Sequence, residues 1–190
     1  MIEFDSELHV YSEKGKTIPS VTQVLQDSGH IDGRWFTAEA RDRGSAVHTL
    51  CERYAKGERV DGKGRPLDSL EYVNAFAAWM LENRAYLIAS ECIVSHELNG
   101  RRYAGKFDGI YEIPGKARRV LVDVKTGTRA KWHPVQLVAY SLGTMNDGSR
   151  VNPDLLMDLY LRPDGIYREC YVNGLEAVRS IEVFKEALRK

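Results

Sequence analysis

Two apolar, β-prone runs, Gly105-Lys106-Phe107-Asp108-Gly109 and Val120-Leu121-Val122-Asp123-Val124-Lys125, carry two carboxylates and an ammonium where Asp and Lys are normally depleted. Side chains alternate along a strand, so Asp123 and Lys125 project to one side while Val122 and Val124 point into the core. If the two runs pair, Asp108 reaches that same side. Two carboxylates beside an ammonium suit a divalent cation, a metal-bound water and a phosphodiester. A plain strand-end ion pair uses the same residues. A second Asp-x-Lys, Asp61-Gly62-Lys63, lies in a turn-rich polar stretch and reads as a solvated loop.

Two further groups bear on this choice. Gln136 and Tyr140 are four apart in a segment of helical periodicity from about Trp132 to Gly143, so they share one helix face. Pro134 fits the first turn of that helix. An amide and a phenol on one face can orient a lysine and a phosphate; a core Tyr beside an exposed Gln is the alternative. Ala46, Val47, Leu50, Cys51 and Tyr54 mark an amphipathic helix that carries His48, with Glu52 four residues on. A neutral imidazole there ligates a transition-type cation such as Mn²⁺, or serves as a structural histidine.

The elements that must position these groups follow from pattern. A small hairpin is predicted over 4–11. A helix from Ser20 to about Ser28 opens with a capping box to Gln23, and long helices are predicted over 37–56 and 69–87, separated by a polar loop at 57–66. The second places Phe76, Trp79 and Met80 on the core side. Strands are predicted over 91–98, 102–112 and 119–125, with turns at Asn99-Gly100 and Pro114-Gly115. The Gln136 helix, strands at 155–162 and 166–172, and an amphipathic helix over 175–189 complete the plan. The chain of 190 residues, 43% hydrophobic, fits one α/β domain, residues 1–190, with a central mixed sheet flanked by helices.

The order His48, Gly105-Lys106-Phe107-Asp108, Asp123-Val124-Lys125, Gln136-x-x-x-Tyr140 resembles the RecB-like exonuclease branch of the PD-(D/E)XK nuclease superfamily, in particular the mitochondrial genome maintenance exonuclease group with its phage and bacterial members. The likeness runs from Pro19 to about Gly143. Pro19-Ser20-Val21-Thr22-Gln23-Val24-Leu25 resembles that group's N-terminal motif, and Glu91-Cys92-Ile93-Val94-Ser95-His96-Glu97 its central hairpin. The resemblance implies a PD-(D/E)XK, restriction-endonuclease-like core. It implies Asp108, Asp123, the Val124 carbonyl and His48 as ligands of Mg²⁺ or Mn²⁺. Lys125 would position the attacking water and stabilise the phosphorane charge, with Gln136 and Tyr140 supporting it. Glu91 matches a motif glutamate of less settled role, weighed against a strand-edge surface residue. Ser20, Arg129, Lys131 and Trp132 are expected at the substrate. Trp132 stacks on a base or packs at a helix start.

The implied activity is hydrolysis of linear or single-stranded-ended DNA, in phage or bacterial recombination, repair or processing. A nuclease-fold DNA-binding protein without catalysis, a sequence-specific endonuclease and a metal-dependent enzyme on another substrate remain as alternatives. Some RecB-type nucleases hold an iron–sulfur cluster through four cysteines. The chain has only Cys51, Cys92 and Cys170, widely spaced, so no iron–sulfur cluster is expected. Scattered, odd-numbered cysteines suit a reducing compartment. No signal or transit segment is read at the N-terminus, and no apolar run reaches the roughly 20 residues a membrane helix needs. A cytoplasmic location without membrane partners is expected, with homo-oligomerisation or a recombination partner protein left open. Net charge is zero, yet residues 101–135 hold nine Lys or Arg against Asp108, Glu112 and Asp123. A basic rim around the acidic pair is therefore expected, including Arg101, Arg102, Arg118, Arg119, Arg129 and Lys131.

Overall fold

Short β-prone segments separated by turns begin the chain. Strands β1 (Ile2–Asp5), β2 (Val10–Glu13) and β3 (Lys16–Ile18) form a three-stranded antiparallel sheet where only a hairpin was predicted. The computed structural model describes all of the chain except residues 6, 7, 9, 34–36, 62, 64–67 and 190. Parts of the predicted 4–11 hairpin and of the 57–66 loop, including Gly62 of the second Asp-x-Lys, thus lie outside the described residues.

Ser20 caps α1 (Val21–Asp27), its hydroxyl accepting the Gln23 N–H at 3.0 Å. Thr37 caps α2 (Ala38–Ala55) in the same way. Helix α3 (Ser69–Asn83) ends four residues earlier than predicted. Arg84 adopts a left-handed conformation, φ 49°, and the Ala85 N–H closes on the Met80 carbonyl. Beyond this stop Tyr86 and Leu87 pair with Glu112 and Tyr111 in a sheet, so strand pairing overrides the helical periodicity there.

That strand, β4 (Tyr86–Leu98), turns at Asn99-Gly100 into β5 (Arg101–Ile113). Both turn residues take positive φ, 54° and 74°, which a two-residue primed turn requires. Then come β6 (Ala117–Lys125), α4 (His133–Ser141), β7 (Thr144–Met145), β8 (Leu155–Leu161), β9 (Tyr167–Tyr171) and α5 (Gly174–Ala187). The main sheet has the order β7-β4-β5-β6-β8-β9. β6 and β8 are parallel, joined across α4, and the other neighbours are antiparallel.

Helices cover both faces. Val21, Leu25, Leu137, Tyr140 and Phe184 of α1, α4 and α5 pack with Tyr103, Phe107, Ile110 and Leu121. Val47 and Leu50 of α2, with Phe76 and Trp79 of α3, pack with Val120, Val122, Val124, Met157 and Leu159 on the other side. Phe76 and Trp79 are fully buried, as their helical spacing predicts. Valines at 120, 122 and 124 facing one layer put Asp123 and Lys125 toward the other. No described helix is long and apolar enough to cross a membrane.

Candidate active site

The β5–β6 ladder runs through Tyr111/Val120, Ile110/Leu121 and Gly109/Val122. Asp108 and Asp123 are the next residues, where the two strands open. The Val124 N–H donates to Asp108 Oδ2 at 2.6 Å, so a carboxylate replaces the ladder carbonyl. The other oxygen, Oδ1, lies 2.8 Å from His48 Nδ1 on α2.

The pairing of β4 with β5 is interrupted beside Asp108. Pairing passes from Ser90/Gly109 to Cys92/Phe107 and omits Glu91 and Asp108. Glu91 has φ 53°, left-handed backbone that a non-glycine residue seldom adopts inside a strand. Tyr103, Phe107 and Ile110 share one core, so the inward phase slips by one residue between 107 and 110. Glu91 forms an ion pair with Lys106, and Ser90 Oγ donates to Glu52 Oε1 at 3.0 Å.

Lys125 is held from three sides. Its ammonium pairs with Asp123, donates to Gln136 Oε1 at 2.7 Å and lies 5.2 Å from the centroid of the Trp132 ring. Gln136 Nε2 donates to Tyr140 Oη at 3.0 Å and to Thr22 Oγ1 at 3.2 Å. Gln136 and Tyr140 are both buried, so the helix-face pairing joins the lysine network. Thr22 reaches it because the Ala104 N–H donates to the Pro19 carbonyl at 3.0 Å, seating the start of α1 on β5. The Tyr140 ring in turn lies over Gly105, where a Cβ would collide with it.

The charges bias one another. Burial raises the Asp108 pKa, but His48, the Val124 N–H and Lys125 outweigh it and leave the carboxyl below its ordinary range. Burial, with Asp108 close by, pushes Asp123 upward against the pull of Lys125. Burial works against the Lys125 ammonium, yet Asp123 and Asp158 hold it above the usual lysine value. His48 is likewise opposed by burial and raised overall by Asp108. Burial and nearby Asp123 keep the Tyr140 phenol protonated far above its ordinary pKa.

Asp158 was missed in the sequence. It stands in register with Asp123 on the neighbouring parallel strand, is 1% exposed, and its Oδ1 has no hydrogen-bond partner among the described residues. Burial raises its pKa to about 7. The signal was available: an Asp interrupting Leu155-Leu156-Met157-Asp158-Leu159-Tyr160-Leu161 repeats the pattern that marked Asp123. Glu52 and Thr22 join the site only through the fold, by way of Ser90 and Gln136.

Two clefts meet at His48. One, of about 470 Å³, is lined by Glu52, Glu91, Lys106 and Asp108; the other, about 530 Å³, by Arg43, Lys125, Thr126 and Trp132. The remaining sequence candidates lie less centrally. The Ser20 hydroxyl caps α1. Trp132 opens α4, half-buried against the core with Lys125 over its ring, which combines the packing role with a cation contact. Arg129 donates to Glu176 Oε1 at 3.1 Å, and with Lys131 it lines a depression toward α5.

The expected basic rim does not form as a ring. Arg101 binds the Leu188 carbonyl, Arg102 binds Glu13, and the Arg119 guanidinium binds the Val151 carbonyl. The first two begin β5 at the Asn99-Gly100 turn, while Arg118 and Arg119 begin β6 at the opposite end of the ladder. Proximity in sequence spread these cations along two antiparallel strands rather than around one point.

Among the described residues no three of His, Cys, Asp and Glu gather as a group that could hold a metal ion. The carboxylates of Asp108 and Asp123, on opening strands, are instead a pair of oxygen donors of the kind a hard cation that keeps several waters takes. Cys51, Cys92 and Cys170 are free thiols on separate elements.

No family model and no curated protein matches the chain. Among solved structures it is similar to a candidate exonuclease from Eubacterium rectale, at 16% identity over 90% of this chain and 72% of that one, with a TM-score of 0.49. It is also similar to SSO0001, at 16% identity over 86% of this chain and 82% of that one, with a TM-score of 0.35. Likenesses this distant carry no argument about the chemistry, which rests on the site.

Proposed function

We propose that this chain is a metal-dependent deoxyribonuclease of the PD-(D/E)XK superfamily, RecB-like branch, acting as an exonuclease on DNA with free or single-stranded ends in phage or bacterial DNA processing. The observation that carries the reading is the arrangement at the end of β6. Asp123 and Lys125 share one face, Asp108 is pinned to the Val124 N–H beside them, and Lys125 is fixed by Gln136.

Asp108 and Asp123 are the residues that would hold Mg²⁺ or Mn²⁺, with the Val124 carbonyl and His48 adjoining. A divalent ion held there would supply Lewis-acid activation of the attacking water and charge neutralisation at the phosphate. The protein's own groups do the rest. Lys125, a fixed ammonium, orients the attacking water and stabilises the charge that builds on the phosphoryl oxygens. Gln136 accepts from Lys125 and aims it, so the ammonium loses little entropy on reaching the transition state. Tyr140 and Thr22 set the Gln136 amide, and His48 fixes the rotamer of Asp108. No covalent nucleophile is called for.

The test is digestion of end-labelled linear DNA and closed circular DNA by the purified protein with Mg²⁺, Mn²⁺ or EDTA. Stepwise loss of the linear substrate, with the circle intact and EDTA abolishing cleavage, is expected. Discrete cutting of the circle replaces the exonuclease reading with a sequence-specific endonuclease. Tight DNA binding without hydrolysis in either metal replaces it with a binding protein.

A further inference from the structure

Beyond the cleft that holds Lys125, the chain continues as Thr126-Gly127-Thr128, and these three residues also form the floor of a second groove of about 690 Å³. This groove lies across the carboxyl ends of the parallel strands β6 and β8, the place where α/β sheets present ligand sites. Its charged lining is Arg129, Arg162 and Arg168; among the described residues no carboxylate lines it, and the partners of two of these arginines stand outside the lining. The cleft on the other side of His48 mixes signs, with Glu52, Glu91 and Asp108 beside Arg41 and Lys106. Half-buried Tyr167 adds an aromatic face, and the Arg43 guanidinium stands 5.9 Å from the centroid of the buried Tyr72 ring, which joins the groove to the Lys125 cleft.

Register sets the scale. Lys125 pairs with Tyr160, and Tyr160 with Arg168, so Arg168 is two strand widths, roughly 10 Å, from the lysine. A phosphate backbone crossing the site therefore meets three guanidiniums on this side and a lining of mixed charge on the other. Arg162 pairs with Asp164 at 2.6 Å and Arg129 with Glu176 at 3.1 Å. Exposed pairs of this kind hold little energy, so phosphates displace the carboxylates readily.

We propose that the groove carrying Arg162 and Arg168 is the track for the single-stranded DNA flanking the bond to be cut, read through phosphates with stacking on tyrosine. The proposal rests on the nuclease reading of the neighbouring site. It also gives the chain a defined side: the strand runs from Lys125 over Thr126–Thr128 toward β9, away from Glu52 and Glu91.

Fluorescence anisotropy of a labelled 30-nucleotide oligothymidylate in EDTA tests it. The double variant Arg162→Ala/Arg168→Ala is expected to bind about 10-fold more weakly. Its log Kd against log salt slope should fall by roughly 1.4, about 0.7 for each lost phosphate contact on a single strand. Both residues are exposed, so the fold is retained, which circular dichroism checks. Arg179→Ala, in the depression toward α5, should bind like the unaltered protein. Unchanged affinity in the double variant, or an equal loss with Arg179→Ala, overturns the track. If the unaltered protein degrades DNA while the double variant binds normally, the track fails and the nuclease reading stands. If the unaltered protein neither binds nor degrades DNA, that reading fails first.

Discussion

Both oxygens of Asp108 are engaged, one by His48 and one by the Val124 N–H, whereas Asp123 pairs with the Lys125 ammonium and has Asp158 in register beside it. The two aspartates of the proposed metal site thus have different work: Asp108 is a rigid, ionised group, and Asp123 is the group whose charge a cation would compensate. Asp123→Asn keeps the shape of the side chain and removes that charge. DNA hydrolysis should fall by at least ~10²-fold, in line with loss of a major electrostatic contributor. Near-normal turnover in a quantitative digestion assay would sink the site. Lys125→Ala should also abolish turnover, but calorimetry should show Mn²⁺ affinity kept or slightly tightened, because an ammonium beside a cation repels it. Lost metal affinity with turnover spared would contradict the role given to Lys125.

At the scale of elements, the site depends on how closely α4 lies on β5. Gly105 lets the Tyr140 ring sit on the strand, and a methyl group there must push the ring away from Gln136. Gly105→Ala should destabilise by about 1–3 kcal/mol, as overpacking does, and should lower kcat more than KM because Lys125 loses its brace. An unchanged kcat in a variant with a lowered melting temperature would show that Tyr140 is not the route. The other end of α4 supplies a pH dependence. His133 is buried, with Nδ1 2.5 Å from Tyr160 Oη; burial, then Lys125 and Arg129, lower its pKa to about 3. The unfolded chain protonates this histidine near pH 6.5 and the folded chain does not, so acid favours unfolding. Stability should decline as pH falls from about 6.5 toward 3, by on the order of 1 kcal/mol per pH unit from this group. His133→Gln should flatten that slope in urea titrations between pH 7 and 5; an unchanged slope would refute it.

At the scale of the molecule, the site sits between the two helical layers. His48 comes from the α2–α3 side and Gln136 from the α1–α4–α5 side, and the strands between them open at Asp108 and Asp123. Binding a cation there should therefore report on the whole fold. At 100 times its Kd, Mg²⁺ or Mn²⁺ adds about 2.7 kcal/mol to stability. For a chain of this size that is a rise of about 5–10 °C in Tm. Differential scanning calorimetry should show the rise with metal, its reversal by EDTA, and its absence in Asp123→Asn. A rise that persists in Asp123→Asn would place the cation elsewhere.

Local pattern was enough for much of this. The alternation of Val120, Val122 and Val124 with Asp123 and Lys125 put both charges on one face before any partner strand was known. Asn99-Gly100 dictated a tight hairpin, Ser20 a helix cap, and the four-residue spacing of Gln136 and Tyr140 a shared face. Those readings depend only on periodicity and on the backbone each residue tolerates. Other features were set by which strands became neighbours. Asp158 carries the same local signal as Asp123, but its place beside that residue exists only because β8 lies parallel to β6 in one register. The left-handed Glu91, the early stop of α3 at Arg84, the scattering of the expected basic rim and the arginine groove beside Thr126–Thr128 likewise arise from pairing and packing between distant segments. A short stretch of sequence specifies its own faces; which charges finally stand within reach of one another is decided when sheet register and helix packing close the fold.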